Sequence, residues 1–204
     1  MKDKTNNICW LKPMILALVI ITIIGSIFFI FQGDSIAESA INIDDIEYQL
    51  EIDKHQQLLS SIANSDIAIN EFTTDGCSGG LTIGWQKLGQ QFPVLALQHG
   101  DIPPWQTCCI IHDQKYHGGS VLFSSVDDSF NARKQADLEL KQCVLNTGLE
   151  RMSYLRKTYD LTENKVSAGY QLISELMYLA VRLGGVPCSN HPWRWGYGWP
   201  LCQL

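Results

Sequence analysis

Residues 108–116 read Cys108-Cys109-Ile110-Ile111-His112-Asp113-Gln114-Lys115-Tyr116, and the fold turns on how this stretch is arranged. Pro104 and Trp105 lead into it and Gly118-Gly119 closes it, which predicts a helix between them. On that helix Cys108, His112 and Tyr116, four residues apart, share one face. Asp113 lies one step round, over Cys109. A second helix is expected over about Asp127 to Asn146, with Gly148 just beyond, because Ala136, Leu140, Cys143 and Val144 repeat at helical spacing. A third is expected from about Glu163 to Leu183, ending at Gly184-Gly185. No strand-like alternation of comparable length occurs, so the class is mainly α, with loops tied down by disulfides.

Outward from this centre, the chain has 204 residues, enough for one core with attachments but hardly two full domains. Its formal net charge is −6, and ten acids face the single base Lys54 between residues 33 and 75. No Lys/Arg run of nucleic-acid type exists, so a nucleic-acid partner is excluded. Residues 14–31 carry no charge, and about 27 Å of helix would result, enough to span a thin hydrocarbon core. Lys2, Lys4 and Lys12 precede the run and acids follow it. The positive-inside bias then predicts a cytoplasmic segment 1–12, a transmembrane anchor over 13–32 and an extracytoplasmic remainder. The alternative is a signal sequence cleaved near Ala37, after the small residues Ser35 and Ala37. Residues 33–70 read as an acidic stalk or solvated linker, with Ile46, Leu50, Leu58, Leu59 and Ile62 loosely at helical spacing. The globular domain is expected over 71–204.

Both membrane readings export Cys77, Cys108, Cys109, Cys143, Cys188 and Cys202, leaving Cys9 as the odd thiol. Six cysteines in an oxidising compartment predict three disulfides, with fifteen connectivities open. If Cys108 pairs with Cys143 on antiparallel helices, four residues forward to His112 climb about 6 Å, and six back to Asp137 climb about 9 Å the same way. An imidazole and a carboxylate then meet, as a general base and its orienting group must. If Cys77 pairs with Cys109, Asp113 points at the loop Thr73-Thr74-Asp75-Gly76-Cys77-Ser78-Gly79-Gly80. Loop carbonyls plus a carboxylate make an oxygen donor set for Ca²⁺.

Blander readings compete. His112 alone reads as a structural histidine, and Cys108, Cys109, His112 and His117 have the ligand types of a zinc site. Export and the even cysteine count favour disulfides over zinc. His55, His99, His117 and His191 read as surface or loop residues. In the tail, Trp193, Trp195, Tyr197 and Trp199 suit either a membrane interface or a Cys188–Cys202 loop whose rings cover the core.

Cys-Cys-x-x-His-Asp followed by Tyr116, with a preceding Gly-Cys loop and a later Ala136-Asp137…Cys143 helix, resembles the secreted, calcium-dependent phospholipase A2 family. The group XII type is the most similar branch, over about residues 74–190. The resemblance implies a phospholipase A2-like helical domain that hydrolyses the sn-2 ester of glycerophospholipids at a membrane surface. By it, His112 is the general base, Asp137 orients its ring and Tyr116 hydrogen-bonds Asp137. Asp113 binds Ca²⁺ with main-chain carbonyls near Gly76, Ser78 and Gly80. A catalytically silent lipid- or receptor-binding module is the alternative. Two departures stand out. Lys115 and Ala136 replace a cysteine pair common in the family, and the calcium loop is short, with Ser78 where glycine is usual.

Overall fold

Four helices account for most of what the computed structural model describes, which is residues 43–64, 66–77, 85–87, 90–91, 99–119 and 125–202. They are α1 (Ile43–Ala63), α2 (Gln106–Gly118), α3 (Val126–Tyr159) and α4 (Glu163–Gly184). No strand occurs among the described residues, so the chain is mainly α. The apolar run 14–31 and the segments around it lie outside them. Among the described residues no helix is long and apolar enough to cross a membrane.

Cross-links between neighbours define the packing. Down α2 and up α3 the partners run Cys108–Cys143, His112–Asp137 and Tyr116–Arg133, so the two helices are antiparallel. Between α3 and α4 they run Arg133–Arg182, Lys141–Glu175 and Arg156–Glu163, again antiparallel. α1 crosses the first turns of α3, where Tyr48 meets Phe130 edge-on and His55 meets Ser129.

Helix α3 runs 34 residues, past the stop expected near Asn146. Gly148 is not a terminator. A Cβ there would stand 2.5 Å from Tyr170 Cγ, so the glycine lets α3 and α4 approach. The helix ends instead at Asp160 in the left-handed region (φ 50°, ψ 43°), and Thr162 then caps α4 by accepting from the Lys165 amide. At its start Ser125 accepts from Asp128 N, and Asp127 and Asp128 complement the positive end of the helix dipole.

The compact unit begins at Ile43, not near residue 70. The segment read as part of a stalk forms α1 and packs on α3, and its inward face is Glu51, His55 and Leu58. The expected apolar stripe is split, because Leu58 is fully buried while Leu50 is 74% exposed.

Three disulfides form: Cys77–Cys109, Cys108–Cys143 and Cys188–Cys202. The last closes the tail, which covers the open end of α2. Gly196 N donates to Tyr116 O at 2.7 Å and Gly198 N to His117 O at 3.1 Å, satisfying carbonyls the helix leaves unpaired. Backbone meets backbone here, since a Cβ on Gly119 would lie 2.6 Å from Gly196 Cα. Trp195 inserts into the core and donates to Ser129 Oγ, whereas Trp193 remains 42% exposed. The tail's rings are therefore divided between core and surface.

Candidate active site

Cysteines 108 and 109 send their bridges in different directions, and this places α2 between α3 and the Gly76 loop. His112, one turn on, is 6% exposed, and its Nε2 lies 2.7 Å from Asp137 Oδ1. Asp137 is fully buried. An ionised carboxylate only accepts, so Nε2 carries the proton, and in the neutral imidazole Nδ1 keeps the lone pair. Nδ1 lies 3.9 Å from Asp113 Oδ1, beyond hydrogen-bonding distance. Burial pulls the His112 pKa down, but the carboxylates of Asp113 and Asp137 outweigh it and hold the imidazole above its ordinary value.

Tyr116 OH donates to the same Asp137 oxygen at 2.6 Å. Burial, reinforced by Asp137, holds the phenol well above the usual tyrosine pKa, so it remains a donor. All three residues expected to form a base, its orienting carboxylate and a supporting hydroxyl are thus brought together.

His112 opens on a cavity of about 160 Å³, lined on its apolar side by Leu140, Met177, Val181 and Trp193 and elsewhere by Gly76 and Asp113. Asp113 Oδ2 accepts from Thr74 Oγ1 at 2.5 Å, and Thr74 Oγ1 accepts from Gly76 N at 3.0 Å. Gly76 turns with φ 71°, a conformation that favours glycine. Tyr197 OH clamps the same loop through Thr73 O at 2.7 Å. Burial, with help from Asp113 and Asp75, raises the Tyr197 pKa above its ordinary value. Thr74, Asp75, Asp113 and Tyr197 line a second cavity of about 220 Å³. Among the described residues no group of three or more His, Cys, Asp or Glu side chains converges as a metal cage. Ser78 and Gly80, expected as carbonyl ligands, lie outside the described residues.

Sequence reasoning missed what stands behind the dyad. Arg182 Nη1 donates to Asp137 Oδ2 at 3.0 Å, and its Nη2 donates to Glu51 Oε1 at 2.9 Å. Arg133 is fully buried, pairs with Glu51 Oε2, and donates through Nε to Tyr116 OH at 3.1 Å. Its Nη2 binds the carbonyls of Val181 and Arg182. Burial alone would raise the Glu51 pKa, but His55, Arg133 and Arg182 together hold it below the ordinary value, so it is ionised. The only hint in the sequence is one base, Arg182, inside the otherwise uncharged run 176–183.

Two histidines read as surface residues are buried. His55 is fully enclosed, with Nδ1 2.7 Å from Ser129 Oγ, and His117 packs edge-on against Phe72 and Tyr197. Lys115, which replaces a cysteine of the resembling family, pairs with Glu139 across α2 and α3, and Ala136 is buried. No family model, curated protein or solved structure matches the chain, so the resemblance rests on these residues alone.

Proposed function

We propose that this chain is a Ca²⁺-dependent, phospholipase A2-like hydrolase, tethered to a membrane by residues 13–32 with its helical domain extracytoplasmic. It cleaves the sn-2 ester of glycerophospholipids to a lysophospholipid and a fatty acid. The observation that carries this reading is the His112–Asp137 pair at 2.7 Å, its second nitrogen 3.9 Å from Asp113, on the wall of an apolar cavity that also holds Asp113.

In the proposed reaction His112 Nδ1 takes a proton from water as the oxygen attacks the ester carbonyl. Asp137 holds the ring in the required tautomer and stabilises the imidazolium, and the same proton then passes to the departing alkoxide. Tyr116 fixes the carboxylate through the same oxygen, Oδ1. Held by Asp113 and loop carbonyls such as that of Gly76, Ca²⁺ would supply Lewis-acid polarisation of the carbonyl and countercharge for the oxyanion. A cavity of about 160 Å³ matches the roughly 150 Å³ apolar void that admits a benzene ring. It encloses only a short stretch of acyl chain. Elsewhere on α4, Leu172, Leu176, Leu179 and Leu183 form an exposed stripe, and Trp193, itself part-exposed, lines the cavity, apolar surface suited to lipid.

The test is fatty-acid release from mixed phospholipid vesicles by the full chain, with Ca²⁺ and with EGTA, beside His112→Gln. Loss of release in both arms, by about 10²–10⁴-fold for the variant, is the expected result. A folded, fully oxidised chain that releases nothing supports the alternative, a silent lipid- or receptor-binding module.

A further inference from the structure

An arginine bonded to the carboxylate that serves a catalytic histidine is a chemical problem. Asp137 must favour positive charge on His112 when a proton arrives, yet Arg182 already places a full positive charge 3.0 Å from its other oxygen. Arg133, through Tyr116 OH, adds a second cation one bond further back. With Asp137 as the only anion, this buried cluster would carry a net charge of +1 before the imidazolium formed. Glu51 changes that balance. Its two oxygens are divided between the cations, Oε1 to Arg182 and Oε2 to Arg133, and it is nine-tenths buried. Asp137, Glu51, Arg133 and Arg182 then sum to zero. Glu47, 3.4 Å from Arg182 Nη2, adds a weaker, more exposed anion on the same helix.

Both acids come from α1, more than 80 residues before Arg133 and more than 130 before Arg182. On the reading of the site as a hydrolase, we propose that Glu51 is a positioning residue for the His112–Asp137 pair, which makes α1 a working part of the active site. By engaging Arg182 and Arg133, Glu51 leaves the charge of Asp137 to the imidazole.

The experiment compares the full chain, Glu51→Gln and the double variant Glu51→Gln/Arg182→Gln on phospholipid vesicles with Ca²⁺. The double variant returns the cluster to zero, with Asp137 against Arg133. Glu51→Gln should lower kcat about 10–100-fold at unchanged KM, the range seen when a residue orienting a site group is removed. The double variant should recover kcat to within about threefold, the signature of two coupled sites. A kcat within about twofold for Glu51→Gln overturns the proposal, as does a double variant no better than the single one, which is what a merely structural role predicts.

A second readout, at fixed pH, is the low-field proton resonance of the His112 Nε2–H bonded to Asp137. It should move in Glu51→Gln and return in the double variant; an unmoved resonance overturns the proposal. If the unaltered chain releases no fatty acid but the resonance behaves as expected, the hydrolase reading falls and the positioning role of Glu51 stands. If release proceeds and Glu51→Gln changes neither kcat nor the resonance, the positioning role falls and the hydrolase stands.

Discussion

Tyr116 sits at the crossing of two roles, giving its proton to Asp137 and accepting one from Arg133. Tyr116→Phe removes one of the hydrogen bonds on the dyad carboxylate and leaves Arg133 Nε buried without its acceptor. The expected cost is about 1–3 kcal/mol, read from denaturant unfolding. Hydrolysis should survive at reduced rate, because the His112–Asp137 contact does not pass through the phenol. Gly148→Ala tests a different physics. Alanine gains about 1 kcal/mol of helix propensity over glycine. Its Cβ, however, falls 2.5 Å from the root of the Tyr170 ring, which cannot move without shifting α4. Overpacking of about 1–3 kcal/mol wins, so the variant should melt at lower temperature. At this scale the dyad was legible beforehand because residues four apart on one helix must share a face, and because the cysteines offered a level at which to join two helices. The arginines behind it were not, since a buried guanidinium and a solvated one look alike in sequence until their partners are known.

Elements differ in how openly they announce themselves. α4 is readable to both ends, since Glu163 opens it and Gly184-Gly185 closes it. The length of α3 is ambiguous in the sequence, because glycine signals both a stop and a close approach, and only the neighbour tells which. α1 was obscured further. Its inward face carries Glu51 and His55 where an apolar residue is expected, so hydrophobic spacing marks only part of that face, Leu58 among it. That face makes a pH prediction. Burial depresses the His55 pKa, Arg133 and Arg182 add to the effect, and Glu51 opposes it without prevailing. The unfolded chain binds a proton near pH 6.5 while the folded one resists it. His55 therefore contributes full stability above about pH 6.5 and loses it as pH falls toward its depressed folded value. Denaturant midpoints at pH 7.5 and 5.5 should diverge more for the unaltered chain than for His55→Gln, and equal slopes would refute this account of α1.

Across the whole molecule, α4 presents two faces: Met177, Ala180, Val181 and Gly184 line the cavity of His112, and Leu172, Leu176, Leu179 and Leu183 form the exposed stripe, about a third of a turn round the same helix. Leu179→Glu/Leu183→Glu should weaken vesicle binding, read by co-sedimentation, and slow release from vesicles. Hydrolysis of a dispersed short-chain ester should stay near that of the unaltered chain, because neither leucine lines the cavity. The bridges from Cys109 and Cys108 enclose sequence separations of 32 and 35 residues, each worth roughly 3–4 kcal/mol in the chain-entropy account. Against a total stability of about 5–15 kcal/mol, they are a large share. One bridge secures the loop beside Asp113 and the other sets the level at which His112 finds Asp137. Redox state and site geometry are therefore one variable in this molecule: a reductant that opened both bridges would free the loop beside Asp113 and unfix the level of the His112–Asp137 contact in a single event.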